Sequence, residues 1–248
     1  MRHKIFLVCF SFLLLIMMPA WGQTTVIRRQ TITAKPNTTS GANGVRVSEG
    51  EYVDLGLPSG TLWATKNIGA NKPEEYGDYF AWGETKPKKE YTWETYKWCN
   101  GTSGFMTKYN NNEKYGTVDN KSELDLEDDA AYVNRGNSWR MPTFEQFLEL
   151  RQNCNYYRTR YKGVYGYIVK GKNGKSIFLP SGDEGDKKGQ VKNDSFGFYW
   201  TRSAPTKQWA NIDPAGHAIM YYLYINNGIA LDINVRYRGF NIRPVRNK

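Results

Sequence analysis

Only one stretch of this chain, Phe144–Asn153, repeats its apolar residues at the spacing of a well-formed surface helix. Elsewhere apolar side chains alternate with polar ones over short runs that end in Gly, Pro or Asn. A period of two sends successive side chains to opposite faces of a strand, and those three residues supply the turns between strands. The expected class is therefore α+β: short antiparallel strands, one or two helices and long loops. An aromatic fraction of 15% fits a core built largely from flat rings, with Trp63, Trp82, Trp139, Tyr199 and Trp200 as its candidates.

Local signals place the elements. Thr143 and Gln146 form a capping box ahead of Phe144, Phe147, Leu148 and Arg151, so one helix face is apolar with a basic edge. Glu123–Val133 is a second expected helix, and Pro73–Tyr79 a short third. Tyr52–Leu57 reads as a first strand, stopped by Pro58-Ser59-Gly60, with Thr61–Ala64 following. Tyr165–Lys170 and Lys175–Leu179 flank a hairpin loop at Gly171–Gly174, and Ile219–Ile225 and Ile229–Ile233 flank Asn226-Asn227-Gly228. In that second hairpin Tyr221, Leu223 and Ile225 share one face, and Tyr222, Tyr224 and Asn226 the other. Phe196–Ser203 and Phe240–Val245 complete the strands. Glu90–Gly116 and Ser181–Asp194 read as loops.

The start of the chain reads as a secretory leader. Arg2, His3 and Lys4 precede an apolar run, Ile5–Met18, too short to cross a bilayer at about 1.5 Å per residue. Cleavage is expected near Gly22, giving a secreted, periplasmic or cell-surface protein with no later transmembrane segment. Residues 23–50 read as a flexible arm in which TTVIRRQTITA alternates enough to make a strand if something pairs with it, and 51–248 as the domain. Cys99 and Cys154 remain after the leader, an even pair in an oxidising compartment. A bridge between them would contribute about 4 kcal/mol in the chain-entropy account, and two buried free thiols are the alternative.

Chemistry is sparse. The net charge is +10, but the basic residues are dispersed among acids and form no nucleic-acid-binding motif. An acidic polysaccharide or anionic envelope suits that charge better, although a solvated basic surface also accounts for it. His217 is the one histidine after the leader, read as a residue of a Pro/Gly-rich surface loop, which restricts triads, Cys-His pairs and His-based metal sites alike. No spacing singles out a carboxylate pair among Glu84, Asp125, Glu127, Asp128, Asp129, Asp183 and Asp232. No catalytic residue is expected. Glu123, Asp125, Glu127, Asp128 and Asp129 make the one acidic cluster, where Ca²⁺ is a candidate ligand. Acids in the first turn of a helix explain the same pattern without a metal.

Three separated segments carry a family likeness: EYVDLGLPSGTLWATKNIGANKPEEYGDYFAWGE (Glu51–Glu84), SWRMPTFEQFLEL (Ser138–Leu150) and RGFNIRPV (Arg238–Val245). Together they resemble the Fibrobacter succinogenes major paralogous domain (FISUMP) family of secreted bacterial domains. The resemblance implies a C-type-lectin-like fold, in which the first and last strands pair and the C-terminal half presents the ligand surface. Flat rings and amides in that half, Trp209, Tyr222, Tyr224, Asn226, Asn234 and Tyr237, are the ligand-binding candidates, for a glycan or a protein. A structural envelope or matrix role is the alternative, with a glycan-acting hydrolase behind it. Many relatives carry Cys where this chain has Lys66, which bears on the Cys99–Cys154 pairing. The Glu-Pro-Asn and Trp-Asn-Asp triplets of calcium-dependent lectins are absent, so no cofactor follows from the likeness. The late cysteine pair of the formylglycine-generating enzymes, which share that fold, is absent too.

Overall fold

The computed structural model describes residues 46–182, 196–205, 216–224 and 228–248. The leader, most of the arm, Trp209 and Asn226 lie outside the described residues. The class is α+β. The elements are β1 (Tyr52–Asp54), β2 (Leu62–Ala64), α1 (Ala130–Arg135), α2 (Phe144–Asn153), β3 (Cys154–Tyr161), β4 (Val164–Gly171), β5 (Ser176–Pro180), β6 (Phe196–Trp200), β7 (His217–Tyr224), β8 (Gly228–Val235) and β9 (Val245–Arg246). Among the described residues they form three antiparallel sheets, ordered β1-β2-β9, β3-β4-β5 and β6-β7-β8. No described helix is long and apolar enough to cross a membrane.

Elements with strong local signals fall where expected. The capping box of α2 is closed: Thr143 Oγ1 accepts the Gln146 N–H at 3.2 Å, and Gln146 Oε1 accepts the Thr143 N–H at 2.9 Å. The helix buries Phe147 and Leu150, each contributing about 1.5–3 kcal/mol. Both hairpins are present, and Tyr221 and Leu223 of β7 point into the core.

Other expectations are corrected. Pro73–Tyr79 is not helical, because Gly77 takes a positive φ there and the Ile68 carbonyl accepts the Asp78 N–H at 2.8 Å. A Cβ at residue 77 would collide with that carbonyl. Glu123–Val133 is broken into a 3₁₀ turn, Leu126–Asp128, and α1. Asp129 makes the break: its backbone is extended, and its buried carboxylate caps Ala131 and Tyr132 while also accepting from Met141 N. β3 has no apolar alternation, and pairs with β4 along its whole length, from Cys154↔Gly171 to Tyr161↔Val164. The first strand does not pair with the last, since β2 lies between β1 and β9.

One segment holds the rest. Residues 236–246 run as a strap between the motif-bearing loops. The Arg236 carbonyl accepts Trp82 N–H, Phe80 and Phe240 exchange N–H groups, the Ile242 carbonyl accepts Ile68 N–H, the Pro244 carbonyl accepts Ala64 N–H, and Arg140 and Val245 bond reciprocally. Asn241 adds backbone bonds to β6 and side-chain bonds to the Tyr76 and Asp78 carbonyls. At its centre Arg243 is fully buried. Its guanidinium donates to Asn67 Oδ1 at 2.7 Å, Ala64 O at 3.1 Å and Phe178 O at 2.9 Å. Burial pushes its pKa down to about 10, leaving it charged at neutral pH.

Around the strap lie three apolar clusters. The first joins the three sheets to α2 through Trp63, Phe147, Tyr167, Tyr199 and Tyr221. The second gathers Phe80, Trp82, Trp139, Trp200 and Phe240, so all five core aromatics read from the sequence are buried. The third lies under residues 90–116, which have little regular structure but are packed rather than open. The cysteines are free, not bridged. Cys99 belongs to the third cluster, with its thiol directed at the Trp93 carbonyl at 3.2 Å, whereas Cys154 packs against the first. Burial raises both thiols, Cys154 to about 12.

Replacing Arg243 by Met keeps most of the volume but leaves three buried acceptors without a donor. The expected loss is about 3 kcal/mol, read as a lower urea midpoint. An unchanged midpoint would contradict this account of the strap.

Candidate functional site

Where the strap leaves the core it makes one wall of a cleft of about 550 Å³, within the ~300–1,000 Å³ typical of small-ligand sites. The opposite wall is the run from Asn137 to Met141, with Thr143 and Gln146 at the start of α2 and Arg202 at the side. Two contacts fix that run. Val245 pairs with Arg140 through reciprocal 2.9 Å bonds, and Asp129 holds Met141 N from behind. The walls carry Arg140, Arg202, Arg246 and Lys248, and no acidic side chain. The positive end of the α2 dipole adds to the same field.

These cations differ in how they are compensated. Arg202 Nε lies 3.4 Å from Glu123, and Lys248 Nζ lies 2.8 Å from Asp54, both acids outside the lining. Arg140 and Arg246 have no carboxylate partner among the described residues. Arg140 Nη1 donates to the Asn137 and Trp139 carbonyls, and its guanidinium lies 4.5 Å from the Tyr132 ring centre. Arg246 lies 4.8 Å from the Tyr52 ring and 5.7 Å from Trp139, whose ring also meets Arg135 at 4.8 Å. Its buried Nε finds no hydrogen-bond acceptor among the described residues. Ring contacts hold such groups in place while leaving donors available. The lining side chains are hydroxyls, amides and cations beside Met141 and Val245, with no histidine, cysteine or acidic side chain.

Of the ligand candidates read from the sequence, Asn234 and Tyr237 are not in this lining. Trp209 and Asn226 lie outside the described residues. Tyr222 and Tyr224 pair across β7 with Phe198 and Phe196, and their side chains fall outside what is described. Asn234 lies on β8 opposite Ala218, with Oδ1 accepting the Val235 N–H. Tyr237 is partly buried in the third cluster, its ring 4.9 Å from Trp93. His217 opens β7 rather than sitting in a loop, and its carbonyl accepts from Arg236. The cleft residues were visible only as family phrases, SWRMPT and the terminal PV. Their positive charge emerges only when Arg140 and Val245 pair.

The acidic cluster is assembled but already has a cation. Ligand atoms of Asp125, Glu127 and Asp128 lie within 4.8 Å of one another. Lys108 Nζ sits among them, 2.6 Å from Asp125, 2.6 Å from Asp128 and 3.5 Å from Glu127. Lys97 reaches the other Asp128 oxygen at 3.2 Å, and the Tyr109 hydroxyl donates to Asp128 at 2.6 Å. Burial alone would lower the Lys108 pKa, but its bonds to Asp125 and Asp128 hold it above the ordinary lysine value. Hydrogen bonds from Lys108 and Lys121 hold Asp125 below the usual carboxylate range. Comparison of the chain with protein-family models, curated proteins and solved structures gave no match.

Asp125 is depressed when folded, so its stabilising contribution is present above the ordinary carboxylate pKa and is lost as pH falls through its lowered value. Lys108→Gln leaves the buried Asp128 carboxylate without its nearer ammonium. The expected cost at neutral pH is about 2–3 kcal/mol, with a shallower loss of stability between about pH 5 and 2. Denaturant titrations across that range measure both. A variant as stable as the parent at neutral pH would contradict the role given to Lys108.

Proposed function

We propose that this chain is a non-catalytic binding module of the FISUMP family, with a C-type-lectin-like fold, exported by its leader and displayed in the periplasm or at the cell surface. The three family-like segments support the reading because they are structurally interdependent. The strap carrying RGFNIRPV bonds to residues of the first segment at Ala64, Ile68, Phe80 and Trp82, and to the second at Arg140. The shared sheet of β1 and β9 fits that fold, although β2 lies between them.

The observation that carries the functional reading is the cleft lining: hydroxyls, side-chain amides and cations, without a base or nucleophile pair. Such a surface holds a hydroxylated ligand and does not cleave it. A glycan fits this chemistry better than an apolar protein segment. Calcium has no part in the proposal, because the acidic cluster is neutralised from within by Lys108.

A glycan array probed with the purified protein, with and without calcium, tests this. Binding should be independent of calcium and should fall at least tenfold in Arg140→Ala of unchanged melting temperature. Hydrolysis of a bound glycan, or binding unaffected by Arg140→Ala, would overturn the proposal.

A further inference from the structure

We infer that the cleft selects glycans bearing carboxylates or sulfates, with Arg140 and Arg246 as the recognising pair. The inference rests on the binding-module reading and adds the chemical class of the ligand.

Three observations point the same way. First, the lining is cationic at four positions and carries no acidic side chain. This contrasts with the Asp125–Asp128 region, where each of Asp125 and Asp128 lies within bonding distance of a lysine. In that acidic region the charge is neutralised locally, whereas in the cleft Arg140 and Arg246 have no carboxylate partner among the described residues. Second, both guanidiniums are pre-positioned by rings: Arg140 by Tyr132, and Arg246 by Tyr52 and Trp139. Arg246 Nε is buried and lacks an acceptor among the described residues. A buried donor without a partner is costly, and an incoming anionic oxygen would satisfy it. A planar guanidinium suits carboxylate and sulfate alike, because it can present two donors to two oxygens.

Third, the surroundings suit a sugar rather than a bare polyanion. Asn137, Ser138, Gln146 and Asn247 place amide and hydroxyl groups along the lining, where ring hydroxyls would meet them. Beside Arg246 and outside the lining, Tyr52 is 43% exposed, and an exposed aromatic ring can meet the apolar face of a pyranose. Because the cations are partly solvated, affinity should fall as salt rises.

The test is calorimetric titration of the purified full-length protein with four probes: an oligogalacturonate, a sulfated heparin fragment, a neutral malto-oligosaccharide and a single-stranded oligonucleotide. At least one of the two acidic glycans should bind ten times more tightly than the neutral one, and which does so separates carboxylate from sulfate recognition. Arg246→Gln and, separately, Arg140→Gln should each weaken that binding at least tenfold and reduce its salt dependence. Arg158→Gln, an equal charge change on β3, should leave it unchanged. Using two variants keeps the test open if one fails to fold. Equal binding of the neutral glycan would overturn acidic selection while leaving the binding-module reading in place. An oligonucleotide as tight as the acidic glycan, an equal effect of Arg158→Gln, or no binding by either acidic probe would also overturn the inference.

Discussion

A single buried guanidinium organises this protein. Arg243 forms no ion pair among the described residues; its charge is spread over Asn67 Oδ1 and the carbonyls of Ala64 and Phe178. Those acceptors belong to β2 and the loop that follows it, and to β5, which lies far from both in the chain. Desolvating a cation is expensive unless its donors are engaged. The arrangement therefore penalises any conformation in which one of the three elements moves away. Asn67 and Asn241 repeat the device with amides, each donating to the Tyr76 carbonyl. Loops poor in regular structure are in this way held as firmly as strands.

The strap anchored by Arg243 also produces the surface. Its last residues bond to Arg140, which places Arg246 over Trp139 and brings both guanidiniums to one cleft. Two charged regions thus have opposite fates. In the acidic region, Lys108 is drawn in among Asp125, Glu127 and Asp128, and the cluster satisfies itself. In the basic cleft, two arginines are held by aromatic rings and lack an anionic partner among the described residues.

How much of this was legible in the sequence follows from the range of each interaction. The α2 capping box spans four residues and the hairpin turns hardly more, so both were readable. The burial of Trp63, Trp82 and Trp200 followed from their chemistry. The split at Asp129 was not readable, because its carboxylate is committed to Met141, beyond the helix it caps. β3 was missed since its partner β4, not its own pattern, makes it a strand. An even pair of cysteines suggested a bridge, yet the two thiols pack in different clusters. The acidic residues were recognised as a group, while their counter-ion, Lys108, comes from a separate loop. The cleft was hidden most deeply, because its two arginines meet only through a pairing between distant segments.

Hydrogen exchange followed residue by residue most directly tests the claim that the strap holds the fold together. The amides of Ala64, Ile68, Phe80, Trp82, Trp200 and Val245, all donors to or members of the strap network, should exchange at one common slow rate. In Arg243→Met they should all accelerate together. Exchange of the strap amides well before those of β4 and β7, or acceleration confined to the immediate neighbours of residue 243, would show that the sheets hold independently and that the strap is only laid upon them.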